Sequence, residues 1–422
     1  MRAASAALQG AVSGMPDSSA MPFLPYGRHA IDDDDIEAVS DVLRSDFLTT
    51  GPAVAAFEAA FAKRTGAGHA VACANGTAAL HLAALALDLG PGDFVVVPTI
   101  TFLATANAAR YVGADVLFAD VDPDTGLMRA EDLSRVLNAN REKRIRAVFP
   151  VHLAGRPADP EAIAQIAVDA GISVVEDACH ALGTTYETSG EQVPVGGCAH
   201  SDMATFSFHP VKTIACGEGG MVTTNDTALS ERLKSLRSHG MVRDEAELAL
   251  RDQAYDPDGR PNPWYYEMPE MGLNYRLSDI HAALGASQLR KLDTFAERHR
   301  ALAATYDELL APLSPAITPV RRNAGTDPLM HLYQVLIDFP KLGVSRAELM
   351  NGLRDAGIGS QVHYIPVHSQ PYYRDAYGAI DLPDADAFYQ RCLSLPYFPS
   401  MSYADVARVV DALRRFTESG AR

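Results

Sequence analysis

The sequence is short of cysteine, of positive charge and of long apolar runs, and each shortage closes off a class of protein. Its five cysteines, Cys73, Cys179, Cys198, Cys216 and Cys392, are scattered, odd in number and nowhere in a C-x-x-C pair. That spacing opposes both a disulfide framework and a zinc ribbon, and a reducing cytoplasm is the expected setting. Lysine and arginine total 36 against 53 aspartates and glutamates, a formal net charge of -17. No basic surplus is left to neutralise a phosphate backbone, so nucleic acid is not an expected partner. No stretch reaches the roughly 18 uninterrupted apolar residues of a membrane span, so a soluble chain without a membrane partner is expected. Residues 1–21, rich in Ala, Ser and Gly with a single Arg, never build the apolar run of a signal peptide and read as a mobile tail.

What the chain does have is bulk. At 422 residues and 47% hydrophobic content it can bury a large core in two or three domains. The segment from Asp32 to Arg44 opens on a run of Asp suited to N-capping and places Ile36, Val39 and Leu43 at helical spacing. After Thr65, short apolar runs alternate with Ala-rich helical stretches: HAVAC, AALHLAALAL, DFVVVP, ATANAARYV, DVLFADV, RAVFPVHL, PEAIAQIAVDAG, ISVVEDA and MATFSFH. This βαβα rhythm predicts an α/β domain over residues 22–277 around a mainly parallel sheet. A connecting helix is expected from Ser278 to Phe295, with Met241–Pro263 before it a surface excursion that lacks either period. Beyond Phe295, HLYQVLIDF reads as a strand, RAELMNGLRDAG as a helix and GSQVHYIP as another strand, so residues 278–422 should form the connecting helix and a smaller α+β domain.

An acidic chain that binds an anion must grip it with local donors, and ACANGTAALHLAALAL offers them. There a strand gives way at Asn75, Gly76 and Thr77 to a helix, whose free N–H groups and threonine hydroxyl suit a phosphate, although the same residues cap many ordinary helices. In FSFHPVKTIACGEGGMV, Lys212 follows an apolar strand and precedes a glycine-rich turn. Held at a sheet edge and partly buried, such a lysine is suited to Schiff-base chemistry; taken alone it is equally an ordinary surface lysine. Ser207, five positions earlier, adds a hydroxyl. ISVVEDACHALG ends its strand in Glu176 and Asp177, with His180 three residues on. A strand-end Asp can keep a pyridine nitrogen protonated or cap a following helix, and His180 can pack over a flat ring or satisfy a core hydrogen bond. Phe102, after DFVVVP, can stack on that ring or belong to the core. His363 and His368 invite a metal-pair reading, which the proline between them and the want of a third ligand oppose. Together, strand-end Asp, strand-edge Lys and phosphate-binding helix start describe a pyridoxal-phosphate site on a type I aminotransferase-like fold.

In order and spacing, NGTAALH, EDACHALG, FSFHPVKTIACGEGGMVTTND, LRSHGM and GLNYRLSDIHAALGASQL resemble the DegT/StrS family of sugar aminotransferases, from about Pro22 to the C-terminus. The resemblance implies that Lys212 carries pyridoxal 5'-phosphate, that Asp177 pairs with its ring nitrogen, and that His180 and Phe102 stack on the ring. It also implies that Gly76, Thr77 and Ser207 hold the phosphate, and that Asn274 reaches the phosphate of the neighbouring subunit in a homodimer with shared sites. Sugar-facing positions would be Tyr26, the stretch Asp46, Phe47, Leu48 and Thr49, and Gln361, His363 and Tyr364. PWYYEM and GSQVHYIPVHSQPYYR look most like the branch that moves an amino group from L-glutamate to C4 of UDP-4-keto-6-deoxy-N-acetylhexosamine in pseudaminic acid synthesis. Departures from the family pattern are small: Ala215 and Cys216 stand where Thr-Thr is common, and Cys179 where Ala or Ser is common.

Three rival readings remain: a 3-keto-sugar aminotransferase or a dehydratase of the same family, a nicotinamide-dependent dehydrogenase, and a non-catalytic regulator. The dehydratases carry histidine where Lys212 stands. NGTAAL lacks the G-x-G-x-x-G turn of a dinucleotide site, and the short Ala-rich tail is no DNA-binding segment.

Overall fold

The computed structural model describes residues 22–419, so the expectation of a mobile tail at 1–21 lies outside the described residues. Asp32 caps the first helix, Asp33–Arg44, its carboxylate accepting from the Asp35 N–H while Asp35 reciprocates, which is the reading its acidic run suggested.

The strands then come in the expected rhythm. β1 (His69–Cys73), β2 (Asp93–Pro98), β3 (Asp115–Ala119), β4 (Arg144–Val148) and β5 (Ser173–Asp177) are followed by a hairpin, β6 (Thr185–Thr188) and β7 (Glu191–Pro194), then by β8 (Met203–Ser207) and β9 (Gly220–Thr224). A seven-stranded sheet runs in the order β1-β9-β8-β5-β4-β2-β3. Only β9 opposes the rest, pairing antiparallel with β1 and β8. The carboxyl ends of β1, β2, β5 and β8 therefore open along one edge, and that edge builds the site. Both faces of the sheet are buried: Val95, Val96, Val97, Val175 and Met203 are fully enclosed, which is why these strands read as continuous apolar runs. The fold is α/β of aminotransferase fold type I.

A second, three-stranded sheet has the order β10-β12-β13, from β10 (Ile317–Pro319), β12 (Tyr333–Ile337) and β13 (Cys392–Leu395), and its own core includes Leu302, Tyr306, Leu349 and Val409. The two-residue β11 (Thr326–Asp327) joins the β6–β7 hairpin.

Two expectations are corrected. GSQVHYIP is not a strand: both edges of β12 are taken by β10 and β13, and the segment makes a single backbone bridge to the small sheet, Gln361–Ser394. Its other ties to that sheet are through side chains, among them those from the Gln334 amide to His363 O and from the His363 ring to the Ser394 hydroxyl. Its flanking backbone donors go elsewhere, the Gly359 N–H to Leu24 O at 2.7 Å and the Val367 N–H to Thr99 O at 2.9 Å. The segment is thus a strap between the small sheet and the large one. The single helix over Ser278–Phe295 is instead two, Asp279–Arg290 and Leu292–Leu310, meeting at Lys291, whose ammonium lies 2.9 Å from Asp35. The second helix runs past Phe295 because Leu302, Ala303, Tyr306 and Leu310 continue its buried stripe. Among the described residues, no helix is long and apolar enough to cross a membrane.

That second helix carries a pH liability. His299 is buried against Tyr397, ring centroids 4.8 Å apart, and burial pushes its pKa from 6.5 down to about 4. The unfolded ring takes a proton that the folded one refuses, so stability is full above pH 6.5 and declines below it. Each pH unit costs about 1.4 kcal/mol until the folded ring titrates, or about 2 kcal/mol at pH 5. His299→Phe should therefore lose about 2 kcal/mol less than the parent between pH 7 and pH 5 in urea unfolding. Equal losses in the two proteins would refute the assignment.

Candidate functional site

At the shared edge of the large sheet lies a cavity of about 610 Å³. Each strand end contributes to it in turn. After β1, Asn75 caps the helix Gly76–Ala86 by accepting from the Ala78 N–H at 2.8 Å, leaving the N–H groups of Gly76 and Thr77 at the cavity wall. Gly76 is required there, because a Cβ would stand 2.7 Å from Ser207 Cβ. Without one, the helix start and the Ser207 hydroxyl at the end of β8 close on the same space, a cradle for an anionic group that needs no cationic side chain.

After β2, Thr101 and Phe102 enter the wall. Phe102 stands at the N-cap of the helix Leu103–Tyr111 and is 55% exposed, so the core reading of this ring fails. Asp177 ends β5 and is buried, and no helix follows it before β6, so it is not a helix cap. Both its oxygens accept: Oδ2 from the Thr105 hydroxyl at 2.6 Å, and Oδ1 from the Cys179 N–H at 3.2 Å. Thr105 in turn lies 2.7 Å from the Thr101 hydroxyl. The carboxylate is thereby fixed by neutral donors, with no cation paired to it among the described residues.

Lys212 lies beyond β8 in the turn that leads to β9, lining the cavity rather than the outer surface. Burial lowers its pKa, with Cys179 and Asp177 acting in the opposite sense, and among the described residues its amine has no hydrogen bond or ion pair. A half-buried amine that gives up its proton readily and has no partner among the described residues has the chemistry a Schiff-base nucleophile requires.

His180 has both nitrogens engaged. The Ala154 N–H donates to Nδ1 at 3.2 Å, so Nδ1 carries no proton, and Nε2 lies 3.2 Å from the Tyr364 hydroxyl. Burial, Lys212 and neighbouring histidines hold the ring neutral. Its single proton is therefore on Nε2 and points to Tyr364. His180 thus satisfies a core hydrogen bond while lining the cavity.

Of the remaining positions singled out in the sequence, Tyr26, Gln361, His363 and Tyr364 line the same cavity. His363 is tied to the Ser394 hydroxyl at 2.8 Å, and burial pushes its pKa down to about 3. The structure does not bring Asn274, Asp46, Phe47, Leu48 or Thr49 to this chain's cavity; all five are exposed, and Asn274 bridges to Ser238 instead. Sequence reasoning missed Thr101, Thr105 and His331, which line or brace the site. His331 had a faint signal, a histidine directly before an apolar strand.

Solved structures share this architecture over nearly the whole chain. Helicobacter pylori PseC, an aminotransferase involved in the biosynthesis of pseudoaminic acid, superposes with a TM-score of 0.83 at 28% identity, covering 94% of this chain and 100% of its own. The PLP-form of Spr1654 from Streptococcus pneumoniae, a putative sugar aminotransferase, gives 0.82 at 26% identity over 94% and 99%. DesI, solved in the presence of its TDP-sugar product, gives 0.81 at 31% identity over 96% of both chains. Residues 29–414 match the model of the DegT/DnrJ/EryC1/StrS aminotransferases, and the chain belongs to that family.

Proposed function

We propose that the chain is a pyridoxal-phosphate-dependent transaminase carrying an amino group from L-glutamate to C4 of a UDP-linked 4-keto-6-deoxy-N-acetylhexosamine. The observation that carries this reading is the convergence, in one cavity, of an unpartnered amine, a fixed carboxylate and an anion cradle. The donor set fits the cofactor. Gly76, Thr77 and Ser207 would take its phosphate, Lys212 its aldehyde carbon, Asp177 its ring nitrogen, and Phe102 and His180 its faces. When bound, that group supplies an electron sink for the carbon that gains or loses nitrogen. Lys212 would hold it, and the same amine is placed to move the proton at the reacting carbon. Binding of the nucleotide, away from the reacting carbon, orients that carbon.

A homodimer belongs to this reading. Asn274 and residues 46–49 lie outside their own cavity, and Phe47, Leu48, Trp264, Met268 and Met271 present large exposed apolar surfaces, which suits a second copy completing each site. The UDP-linked, C4 assignment is supported by the PWYYEM and GSQVHYIPVHSQPYYR segments and by the likeness to PseC. The likeness to DesI supports a second reading, a TDP-linked sugar.

Half-reactions separate the possibilities. The purified protein is loaded with cofactor and given L-glutamate, and conversion to the amine form is followed by absorbance. UDP-4-keto, TDP-4-keto and 3-keto sugar nucleotides are then supplied in turn. The UDP-4-keto sugar should restore the starting spectrum fastest; a faster response to either of the others replaces the assignment.

A further inference from the structure

Three buried histidines line the cavity, and two are already committed: His180 to the Ala154 N–H and Tyr364, His363 to Ser394. His331 is different. It is 6% exposed, its ring centroid lies 4.6 Å from that of His180, and among the described residues neither of its ring nitrogens has a hydrogen-bond partner. Neither nitrogen is among the fully enclosed polar atoms left without a partner, so the unpaired groups of this ring open onto the cavity, where a ligand can meet them.

The backbone beneath His331 is built to hold it there. Its N–H donates to Ala154 O at 3.1 Å, and the preceding chain is clamped on Gly155. Gly155 adopts a φ of +91°, and a Cβ on it would stand 2.3 Å from Leu329 O and 3.0 Å from Met330 Cα. Thr184 bridges the same pair, donating to Gly155 O and accepting from the Leu329 N–H, both at 2.9 Å. One loop, Ala154–Gly155, therefore holds two histidines at once, orienting the His180 ring through the Ala154 N–H and anchoring the His331 backbone through the Ala154 carbonyl. Rigid support of this kind is what a recognition residue needs.

We propose that His331 is a specificity-determining residue, and that a free ring nitrogen recognises a hydroxyl of the acceptor sugar beside the reacting carbon. Burial and the nearby Lys212 keep the ring neutral. A neutral imidazole presents a donor at one nitrogen and an acceptor at the other, and a hydroxyl can answer whichever of them faces it, whereas a carboxylate or phosphate can only accept. The inference rests on the sugar-nucleotide reading above, but the residue and its partner chemistry come from the unpaired ring.

The test uses whichever 4-keto sugar nucleotide, UDP- or TDP-linked, the unmodified protein turns over. His331→Phe keeps the ring's bulk and removes both nitrogens. It should accept nitrogen from L-glutamate within about threefold of the parent rate, while kcat/KM for the keto sugar drops about 30-fold, chiefly through KM. His331→Asn, which retains a donor and an acceptor, should recover part of that loss, and both variants should melt within a few degrees of the parent. Unchanged kcat/KM for the sugar in His331→Phe overturns the assignment while leaving the functional reading intact. Equal losses in both half-reactions overturn it too, since a general structural defect would then be at fault. A parent protein that aminates no keto sugar refutes the functional reading, and the assignment with it.

Discussion

Lys212→Ala is expected to lower turnover by about 10,000-fold or more, and to make the cofactor-free protein at least as stable as its parent. The two halves of that expectation come from the same fact. The amine lies half-buried without a hydrogen bond or ion pair among the described residues, and burial lowers its pKa. Near neutrality the unfolded lysine is fully charged and well solvated; the folded one must either lose its proton or keep a poorly solvated charge. Lys212 thus destabilises the fold, and the penalty shrinks as pH rises towards the ordinary lysine value of 10.5. An alanine there relieves the penalty and removes the nucleophile. Thermal melting of the stripped proteins at pH 7 and pH 10 reads the first effect: the alanine variant should gain more at pH 7. Borohydride reduction followed by peptide mass mapping reads the second, with a pyridoxyl adduct on Lys212 in the parent and none in the variant. A variant that keeps turnover contradicts the role of this residue, and one that unfolds shows that the amine is structural.

Much of this site is legible in the chain because each of its central groups sits at the end of its own strand. Asp177 closes β5, Ser207 closes β8, Gly76 and Thr77 follow β1, and Phe102 follows β2, so each is announced by a local apolar run and the break after it. Lys212 is announced likewise, by the strand before it and the glycines after. What braces these groups is not local. Thr105 reaches Asp177 across 72 positions, and its own helix gives no sign of the pairing. Ala154, in a left-handed conformation at φ 58°, serves His180 with its N–H and His331 with its carbonyl, and alanine carries no sequence signal for either task. GSQVHYIP has the alternation of a strand and reads as one. Periodicity cannot reveal that β12 is already paired on both sides, or that Gly359 and Val367 are bonded to Leu24 and Thr99. The break at Lys291 is hidden for a similar reason, since the apolar spacing carries on through it while Asp32 and Asp35 hold its ammonium from far earlier in the chain.

Asp177→Asn should be the most informative substitution after Lys212, because it removes a charge while leaving nearly every contact in place. Asparagine has the same shape, and its amide oxygen can still accept from the Cys179 N–H. Its NH₂ would face the Thr105 hydroxyl, which can turn to donate to Thr101, 2.7 Å away, and accept from the amide. Stability should therefore change by about 1 kcal/mol or less. The chemistry has no such alternative. A carboxylate favours a proton on the ring nitrogen opposite it, whereas an amide must either donate there or offer an uncharged oxygen, and the electron sink weakens. Nitrogen uptake from L-glutamate should slow by about 1,000-fold, while borohydride still fixes the cofactor on Lys212. If Asp177 were only a brace for Thr105 and the Cys179 backbone, the variant would work at close to the parent rate, because those contacts survive. A loss of cofactor binding together with activity would instead place Asp177 in the fabric of the pocket. Retained adduct with a large kinetic defect is the pattern that only a charge acting on the bound ring produces.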